Sequence, residues 1–314
     1  MAEKLLEVNG LKKYFDTKDG QLHAVDDIYF NVNKGETLGL VGESGCGKST
    51  TGRLVLRLVP RTDGEIIFDG QDIKNFDGKQ MQAFRRDAQI VFQDPFSSLN
   101  PRMNVKSILS EPFEIHGIKK DKKKRIRELM ETVGLSSRLL NAYPHELDGG
   151  RRQRVGIARA LALNPKFVVL DEPVSSLDVS IQAQILNLLD DLQDELDLTY
   201  LFIAHDLSVV KHISDKVAVM YVGKLVEMTD YNSIFRNPKH PYTRALISAI
   251  PIPSIEAQQR RIILEGDVPS PVNPGKGCRF YGRCFERDDI CKEQEPELKE
   301  VEGHGLVACH MVKE

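Results

Sequence analysis

The chain has 314 residues, which at roughly 150 residues per domain predicts about two domains. Its 43 Lys and Arg residues against 46 Asp and Glu residues give a net charge of −3, which argues against a basic protein that coats nucleic acid. No run of residues approaches the ~18 apolar residues of a membrane-spanning helix, and the first ten residues hold no apolar leader. We therefore expect a protein kept in the cytosol that does not cross a bilayer by itself.

Strands and helices alternate in the predicted order of elements, which is typical of an α/β domain. The wholly apolar run Phe167–Leu170 is typical of a parallel strand that is covered on both faces. The predicted elements are, in chain order, strands at Leu5–Val8 and Thr37–Val41, a helix at Lys48–Leu58, strands at Glu65–Phe68 and Ala88–Phe92, mainly helices from Pro95 to Leu147, a helix at Gly150–Leu163, a strand at Phe167–Leu170, a helix at Ile181–Leu196 and a strand at Tyr200–Ala204.

A glycine-rich loop between the Thr37–Val41 strand and the following helix fits the pattern GxxxxGK[ST] without a mismatch. Glycines let successive N–H groups point at phosphate oxygens, Lys48 adds a charge for the β- and γ-phosphates, and the Ser49 hydroxyl can bind Mg²⁺. The helix also directs its N-terminus at the anion. Cys46 is expected to be a small spacer rather than a reactive thiol. The predicted nucleotide-binding residues of the loop are Gly42, Glu43, Ser44, Gly45, Cys46, Gly47, Lys48, Ser49 and Thr50.

Two acidic residues and a histidine follow buried strands downstream. Asp171 and Glu172 end the Phe167–Leu170 strand, and His205 ends the next one. Phosphate hydrolysis needs a carboxylate for Mg²⁺ and a base that orients the attacking water, and α/β sheets bind ligands at the carboxyl ends of their strands. We predict Asp171 as a magnesium ligand, Glu172 as the base and His205 as a contact to the γ-phosphate, with Lys48 completing the catalytic set.

These motifs together resemble the nucleotide-binding subunit of an ABC transporter. The segment Leu147–Arg151 (LDGGR) is similar to the family signature LSGGQ and precedes the Asp171–Glu172 strand at the family spacing. The resemblance implies an α/β fold of the ABC-type P-loop NTPase class. It comprises a RecA-like core, an antiparallel β subdomain, a helical signature subdomain at about residues 95–160 and a small cysteine-rich C-terminal tail.

The resemblance also implies roles for single residues. Gln93 corresponds to the glutamine that meets Mg²⁺ and couples to the membrane subunits, and Asp178 corresponds to the aspartate of the D-loop. Tyr14 stands where an aromatic side chain stacks on adenine, with Phe15 as the alternative. Signature residues contact the γ-phosphate held by a second subunit; these are Leu147, Asp148, Gly149, Gly150 and Arg151.

The resemblance implies partners as well. Two such ATPase subunits face each other across two ATP molecules, bind two transmembrane permease subunits at the cytoplasmic face of the membrane, and work with an extracytoplasmic solute-binding protein. The segments Phe92–Pro95, Ser98–Arg102 and His240–Thr243 are similar to the peptide and nickel importer branch, as is Gly277–Cys284. An ABC domain is expected at residues 1–232 and a branch-specific extension at 233–314.

The signature departs from the family pattern at two positions. Asp148 replaces Ser and Arg151 replaces Gln. Asp148 can cap the following helix as well as Ser does. A carboxylate beside the γ-phosphate would also repel it, by about 4 kcal/mol at 4 Å and an effective dielectric near 20. Either the arginines compensate for this charge, or the composite site hydrolyses ATP poorly, which would favour a heterodimer with a paralogue.

Four cysteines near the end of the chain predict a metal site. Cys278, Cys284, Cys291 and Cys309 are separated by 5, 6 and 17 residues, wider than the spacing of zinc ribbons. Four thiolates suit a [4Fe–4S] cluster, and the branch that the tail resembles includes members with one. Zinc, free thiols and paired thiols remain alternatives. The expected cofactors are therefore ATP, Mg²⁺ and this cluster.

The motifs are compatible with three functions. The leading one is the ATPase subunit of a peptide importer, and the second is the same subunit with a different cargo, chiefly nickel. The third is a soluble ABC ATPase that acts on nucleic acid or ribosomes, which the charge of −3 disfavours. The basic run Lys119–Arg127 is interpreted as a solvated helix face, with contact to lipid headgroups as the alternative.

Overall fold

The computed structural model describes residues 3–250 and 261–312. The chain divides into two compact units. The first contains Asn33–Glu36 and Ile73–Ile203, and the second contains Lys4–Val32, Thr37–Asp72 and the residues from Ala204 onward. The units are therefore interleaved in sequence, and the expected division at residue 232 stays a prediction.

Strands and helices alternate along most of the described chain. The strands are β1 (Lys4–Thr17), β2 (Gly20–Asn33), β3 (Thr37–Val41), β4 (Asp63–Phe68), β5 (Gln71–Asp72), β6 (Ala88–Val91), β7 (Phe167–Asp171), β8 (Thr199–Ala204), β9 (Lys216–Tyr221), β10 (Lys224–Asp230), β11 (Lys299–Val301) and β12 (Gly305–Val307). The α-helices are α1 (Lys48–Val55), α2 (Gly78–Asp87), α3 (Pro95–Ser98), α4 (Val105–Ile115), α5 (Lys122–Thr132), α6 (Gly149–Ala160), α7 (Val179–Leu196), α8 (Leu207–Ile213), α9 (Tyr231–Arg236), α10 (Pro241–Ser248) and α11 (Asp289–Glu293).

The first unit combines parallel strands with a group of helices. β7 pairs in parallel with β6 and β8, so that Leu170 lies beside Val91 on one side and Phe202 on the other. Every residue of β7 is buried, which confirms the prediction of a parallel strand covered on both faces. Helix α6 packs against α3, α4 and α5, and the expected bounds of a helical subdomain at about residues 95–160 stay a prediction.

The second unit carries an antiparallel sheet and a mixed group of strands. β1 lies between β2 and β4, with Leu6 opposite Phe68 in the antiparallel β1–β4 pair, and β5 borders β4. β3 pairs in parallel with β9, and β9 is followed by β10, β12 and β11 through antiparallel pairs. The C-terminal residues thus extend the same group of strands that leads into the glycine-rich loop.

Some element boundaries differ from the sequence-based prediction. Helix α1 ends at Val55 rather than Leu58, because Arg57 adopts a left-handed conformation with φ of 51° that a helix cannot continue through. β1 is far longer than the predicted Leu5–Val8 strand, and β2 was not predicted. Only the second half of β2 alternates clearly, with Ile28 and Phe30 buried and Tyr29 exposed between them.

None of the helices within residues 3–250 and 261–312 has the length and apolar character needed to span a bilayer.

Candidate nucleotide-binding site

The predicted phosphate loop connects β3 to α1 in the second unit. Gly42 and Gly47 adopt φ angles of 153° and 109°, which favour glycine. A Cβ atom would lie 2.1 Å from the carbonyl oxygen of Met220 at Gly42, and 2.1 Å from that of Ala24 at Gly47. Both positions therefore require glycine because neighbouring backbone approaches them closely.

Lys48 is buried beneath this loop. Its Nζ donates hydrogen bonds to the carbonyl oxygens of Gly42 (2.8 Å) and Glu43 (3.0 Å). A cation held by neutral carbonyls can exchange them for the stronger, charge-assisted acceptors of a phosphate. Cys46 is buried beside it, and burial raises the pKa of its thiol, which keeps the thiol protonated at neutral pH.

The remaining predicted loop residues differ in exposure. Ser44 and Gly45 are exposed at the tip, whereas Ser49 and Thr50 are half-buried in the first turn of α1. This turn is the N-terminus of α1, the kind of helix end at which anions bind.

Tyr14 lies in β1, and its ring stacks on that of His23 with centroids 4.0 Å apart. Its hydroxyl donates a hydrogen bond to Oδ1 of Asp26. Burial is the larger cause, and this hydrogen bond the second, of a raised pKa of the Tyr14 hydroxyl. The alternative aromatic residue, Phe15, is exposed and lies under Nζ of Lys13. Tyr14 thus has a fixed orientation that a base-stacking side chain needs, and its contact with adenine stays a prediction.

Asp26 anchors Tyr14 but belongs to no motif recognised in the sequence. Burial acts to raise the pKa of its carboxyl group. Hydrogen bonds from Tyr14 and His23, together with the charges of Lys224 and Arg279, outweigh burial and lower the pKa to about 2. Asp26 is therefore a charged acceptor at neutral pH. Only the tertiary structure reveals it, because its partners are spread over residues 14–279.

The predicted catalytic carboxylates lie in the first unit. Asp171 is the last residue of β7 and is buried, whereas Glu172 follows it in a left-handed conformation with φ of 46°. This conformation costs a non-glycine residue about 1–3 kcal/mol and is concentrated at functional sites. The Glu172 N–H donates to the Ile203 carbonyl (3.0 Å) and its own carbonyl accepts from Ser175 Oγ (3.1 Å), which together hold the strained backbone.

Gln93 and Glu172 are brought together within the first unit, although 79 residues separate them. Nε2 of Gln93 donates a hydrogen bond of 3.0 Å to Oε2 of Glu172. The predicted magnesium-coupling glutamine and the predicted base thus share one contact. His205 directly follows β8 and is exposed, as expected for a residue that meets a ligand at a strand end.

The signature residues form the N-terminus of α6. Leu147 is buried, and Asp148 is the N-cap, accepting a hydrogen bond of 2.8 Å from the N–H of Arg151. Oδ2 of Asp148 also lies 3.3 Å from Nε of Arg151, and both side chains are more than half exposed. The two residues that depart from the family pattern therefore pair with each other within the signature itself.

The signature glycines allow close helix packing. A Cβ atom at Gly150 would lie 2.8 Å from Cγ2 of Ile181, and one at Gly149 would lie 3.1 Å from Cδ2 of Leu177. Both neighbours flank Asp178, which is exposed and precedes α7. The signature and the predicted D-loop are thus packed against each other in the first unit.

Three of the four C-terminal cysteines are half-buried and Cys291 is buried. Burial, followed by the charges of the other three cysteines, raises the pKa of Cys278 to about 11, and the Cys278 N–H donates a hydrogen bond of 2.8 Å to the Cys291 carbonyl. Yet in the described residues no group of three or more His, Cys, Asp or Glu side chains could hold a metal ion. The expectation of a metal site in the tail is not confirmed.

Comparisons with known proteins agree with this geometry. A family model described as ABC transporter matches residues 25–175, and one described as oligopeptide/dipeptide transporter, C-terminal region, matches residues 226–291. The fold is similar to a dimeric ATP-binding cassette in a post-hydrolysis state bound to ADP and Pi (TM-score 0.65, 26% identity, covering 72% of this chain and 99% of that one). It is also similar to cbiO1 of Clostridium perfringens, part of the cbiONQ ABC transporter complex (TM-score 0.66, 29% identity, 75% and 92% covered).

The fold and the phosphate loop thus define an ABC-type ATPase, as the motifs indicated. Curated relatives cover nearly the whole chain. The oligopeptide transport ATP-binding protein AppF of Bacillus subtilis is 51% identical over an alignment of 321 residues that covers 98% of this chain and 98% of that one. OppF of the same organism is 55% identical over 266 residues, which cover 83% of this chain and 87% of that one. The chain belongs to the oligopeptide/dipeptide transport family of ABC transporter ATP-binding proteins.

Proposed function

We propose that this chain is the ATP-hydrolysing subunit that powers peptide import through an ABC transporter. The observation that carries the proposal is the extent of the match to AppF, which spans 98% of both chains and includes the C-terminal region. The names of the relatives favour peptides over nickel as cargo. The match to an ABC family model and the buried lysine of the phosphate loop support ATP as the nucleotide that is hydrolysed.

The geometry supports a division of roles. Lys48 would exchange the Gly42 and Glu43 carbonyls for the β- and γ-phosphates, and Glu172 would orient the attacking water with Gln93 beside it. Mg²⁺ neutralises charge on the phosphates during hydrolysis. The Ser49 hydroxyl and the Asp171 carboxylate have the oxygen chemistry that this ion prefers.

A complete site requires partners that the family resemblance implies. Two ATPase subunits would enclose two ATP molecules, with the signature of each facing the γ-phosphate on the other. Two membrane permease subunits would hold them at the cytoplasmic face of the membrane, and a solute-binding protein would deliver the peptide. Because hydrolysis removes the γ-phosphate that joins the subunits, the affinity difference between ATP and ADP states would drive the membrane partners.

The test is reconstitution. The chain is purified from membranes with its associated subunits, placed in liposomes, and assayed for ATP-dependent uptake of di- and oligopeptides, with Ni²⁺ as the competing cargo. We expect peptides to stimulate ATP hydrolysis and to accumulate, and Lys48→Ala to abolish both. Stimulation by Ni²⁺ alone, or by RNA in the absence of membrane subunits, would contradict the proposal.

We also propose that Cys278, Cys284, Cys291 and Cys309 hold a [4Fe–4S] cluster. Support comes from the backbone hydrogen bond that joins Cys278 to Cys291 and from the suitability of four thiolates as ligands of such a cluster. A cluster spaces its thiolates more widely than a single ion does, so it does not require the compact group that a zinc site needs.

Anaerobic purification followed by iron and acid-labile sulfide assays tests the cluster. We expect about four irons and four sulfides per chain, brown protein, and loss of both in Cys291→Ser. Cys46→Ser is the matched control and should retain the full iron content. Colourless protein, with or without zinc, would reject the cluster.

A further inference from the structure

Three side chains of the C-terminal region reach the nucleotide-binding part of the second unit. They are Tyr242, Arg279 and Arg283, all within the residues that match the oligopeptide/dipeptide transporter C-terminal model. Two of them contact Glu43 of the phosphate loop, and the third contacts Asp26, which anchors Tyr14.

Glu43 is held by the C-terminal region on two sides. Arg283 donates to both carboxylate oxygens of Glu43, at 2.7 and 3.1 Å, in the bidentate geometry that gives arginine pairs their strength. The hydroxyl of Tyr242 accepts a hydrogen bond of 2.9 Å from the Glu43 N–H. The Glu43 carbonyl in turn accepts from Nζ of Lys48. One residue thus connects the C-terminal region to the lysine that contacts phosphate.

Asp26 provides a second, separate connection. The guanidinium group of Arg279 donates to Oδ2 of Asp26 and to the carbonyl oxygen of Val222, and the hydroxyl of Tyr14 donates to Oδ1 of Asp26. The side chains of Arg279 and Asp26 are only 6% and 11% exposed. Asp26 is therefore fixed by Arg279 at one oxygen while it fixes Tyr14 at the other.

We infer that Arg283 and Arg279 are positioning residues for ATP, Arg283 acting on Lys48 through Glu43 and Arg279 acting on Tyr14 through Asp26. This inference rests on the ATP binding proposed above. The C-terminal region is then part of the nucleotide site: one arginine supports the phosphate end and the other the adenine end. Each arginine holds a carboxylate residue that in turn holds Lys48 or Tyr14, so the role we assign to these pairs is the placement of the loop and of the ring.

Equilibrium ATP titration of the full chain tests both connections by double-mutant cycles. Arg283→Ala should raise the Kd for ATP about fivefold or more, and should have no further effect when Glu43 is already Gln. Arg279→Ala should raise it by a similar factor, and should have no further effect in the Tyr14→Ala background. Arg283→Lys keeps the charge without the bidentate geometry. Its Kd for ATP should therefore fall between those of the wild-type chain and Arg283→Ala.

Arg244→Ala is the matched control, because Arg244 lies in the same region and its side chain pairs with Glu286 rather than with Glu43 or Asp26. Its Kd for ATP should equal that of the wild-type chain. Thermal unfolding of every variant separates misfolding from mispositioning, and Arg283→Lys keeps the test valid if Arg283→Ala fails to fold.

Three outcomes would overturn the inference. They are a lower melting temperature with an unchanged Kd, additive effects in both cycles, or an equal loss of affinity in Arg244→Ala. ATP titration of Lys48→Ala distinguishes these outcomes from a failure of the proposed function. If the wild-type chain binds ATP and Lys48→Ala does not, unchanged arginine variants reject only the positioning roles. If the wild-type chain does not bind ATP, the proposed function fails as well.

Discussion

The phosphate loop and the signature are both short, glycine-containing segments that precede a helix, yet they are held in opposite ways. Glu43 of the phosphate loop is paired with Arg283, 240 residues away, and Lys48 is buried beneath the loop. Asp148 of the signature is paired with Arg151, three residues away, and both are exposed. A locally satisfied, exposed segment suits contact with another subunit, whereas the phosphate loop depends on the rest of its own chain.

The largest expected effect separates chemistry from binding. Glu172 lies in the same unit as the signature, and Oε2 of its side chain accepts a hydrogen bond from Nε2 of Gln93. Glu172→Gln should lower the rate of ATP hydrolysis about 10²–10⁴-fold, because it removes the general base. The Kd for ATP should stay within about twofold, because Lys48 and the loop are untouched.

Steady-state phosphate release and ATP titration measure the two quantities on the same assembled complex. Glu131→Gln, at an exposed position in α5, is the matched control and should behave as wild type. Full activity of Glu172→Gln would remove Glu172 from its catalytic role, and lost ATP binding would show that binding and chemistry are not separable in this way.

The second prediction concerns the helix that supports the phosphate loop. His240 is the N-cap of α10, its Nδ1 accepting from the Tyr242 N–H at 3.1 Å, and complete burial lowers its pKa to about 3. The unfolded chain protonates this imidazole near pH 6.5, whereas the folded chain resists protonation until about pH 3. Folding stability should therefore be intact above pH 6.5 and fall below it, by up to about 1.4 kcal/mol per pH unit from this residue.

His240→Asn keeps a capping acceptor without a titrating ring, so its free energy of unfolding should depend less on pH between 6.5 and 5. Urea unfolding at several pH values measures the slope. His212→Asn, at an exposed position in α8, should retain the slope of the wild type. Equal slopes for all three proteins would contradict the prediction.

The same contrast explains what the sequence could predict. The strand at Thr37–Val41, the phosphate loop and the cap at Asp148 depend on neighbours within a few residues, so their patterns are readable along the chain. The Glu43–Arg283 and Asp26–Arg279 pairs join residues about 250 positions apart, and no local spacing signals them. Gln93 is predicted from the family resemblance and Glu172 from its position after a buried strand, and only the structure places Nε2 of Gln93 3.0 Å from Oε2 of Glu172.

The third prediction tests the signature as a local structure. Asp148→Ala removes the side-chain acceptor for the Arg151 N–H and should lower the free energy of unfolding by about 1 kcal/mol. Asp148→Ser keeps an acceptor and should match the wild type within about 0.5 kcal/mol. Chemical denaturation of the full chain measures both values. A loss as large in Asp148→Ser as in Asp148→Ala would show that the carboxylate acts through its charge rather than as a cap.

The smallest expected effect concerns the charges of the signature. If Asp148 repelled the γ-phosphate, Asp148→Ser would raise the ATPase rate of the assembled complex. Because Arg151 lies 3.3 Å from the Asp148 carboxylate, we expect instead that Asp148→Ser combined with Arg151→Gln stays within about twofold of wild type. Arg151→Gln alone leaves the Asp148 carboxylate without this partner. It should lower the ATPase rate below that of the wild type by up to about fivefold, because exposed pairs contribute at most about 1 kcal/mol. Equal rates for Arg151→Gln and the double variant would show that the two residues do not compensate, and that the signature, like the phosphate loop, takes its electrostatic balance from elsewhere.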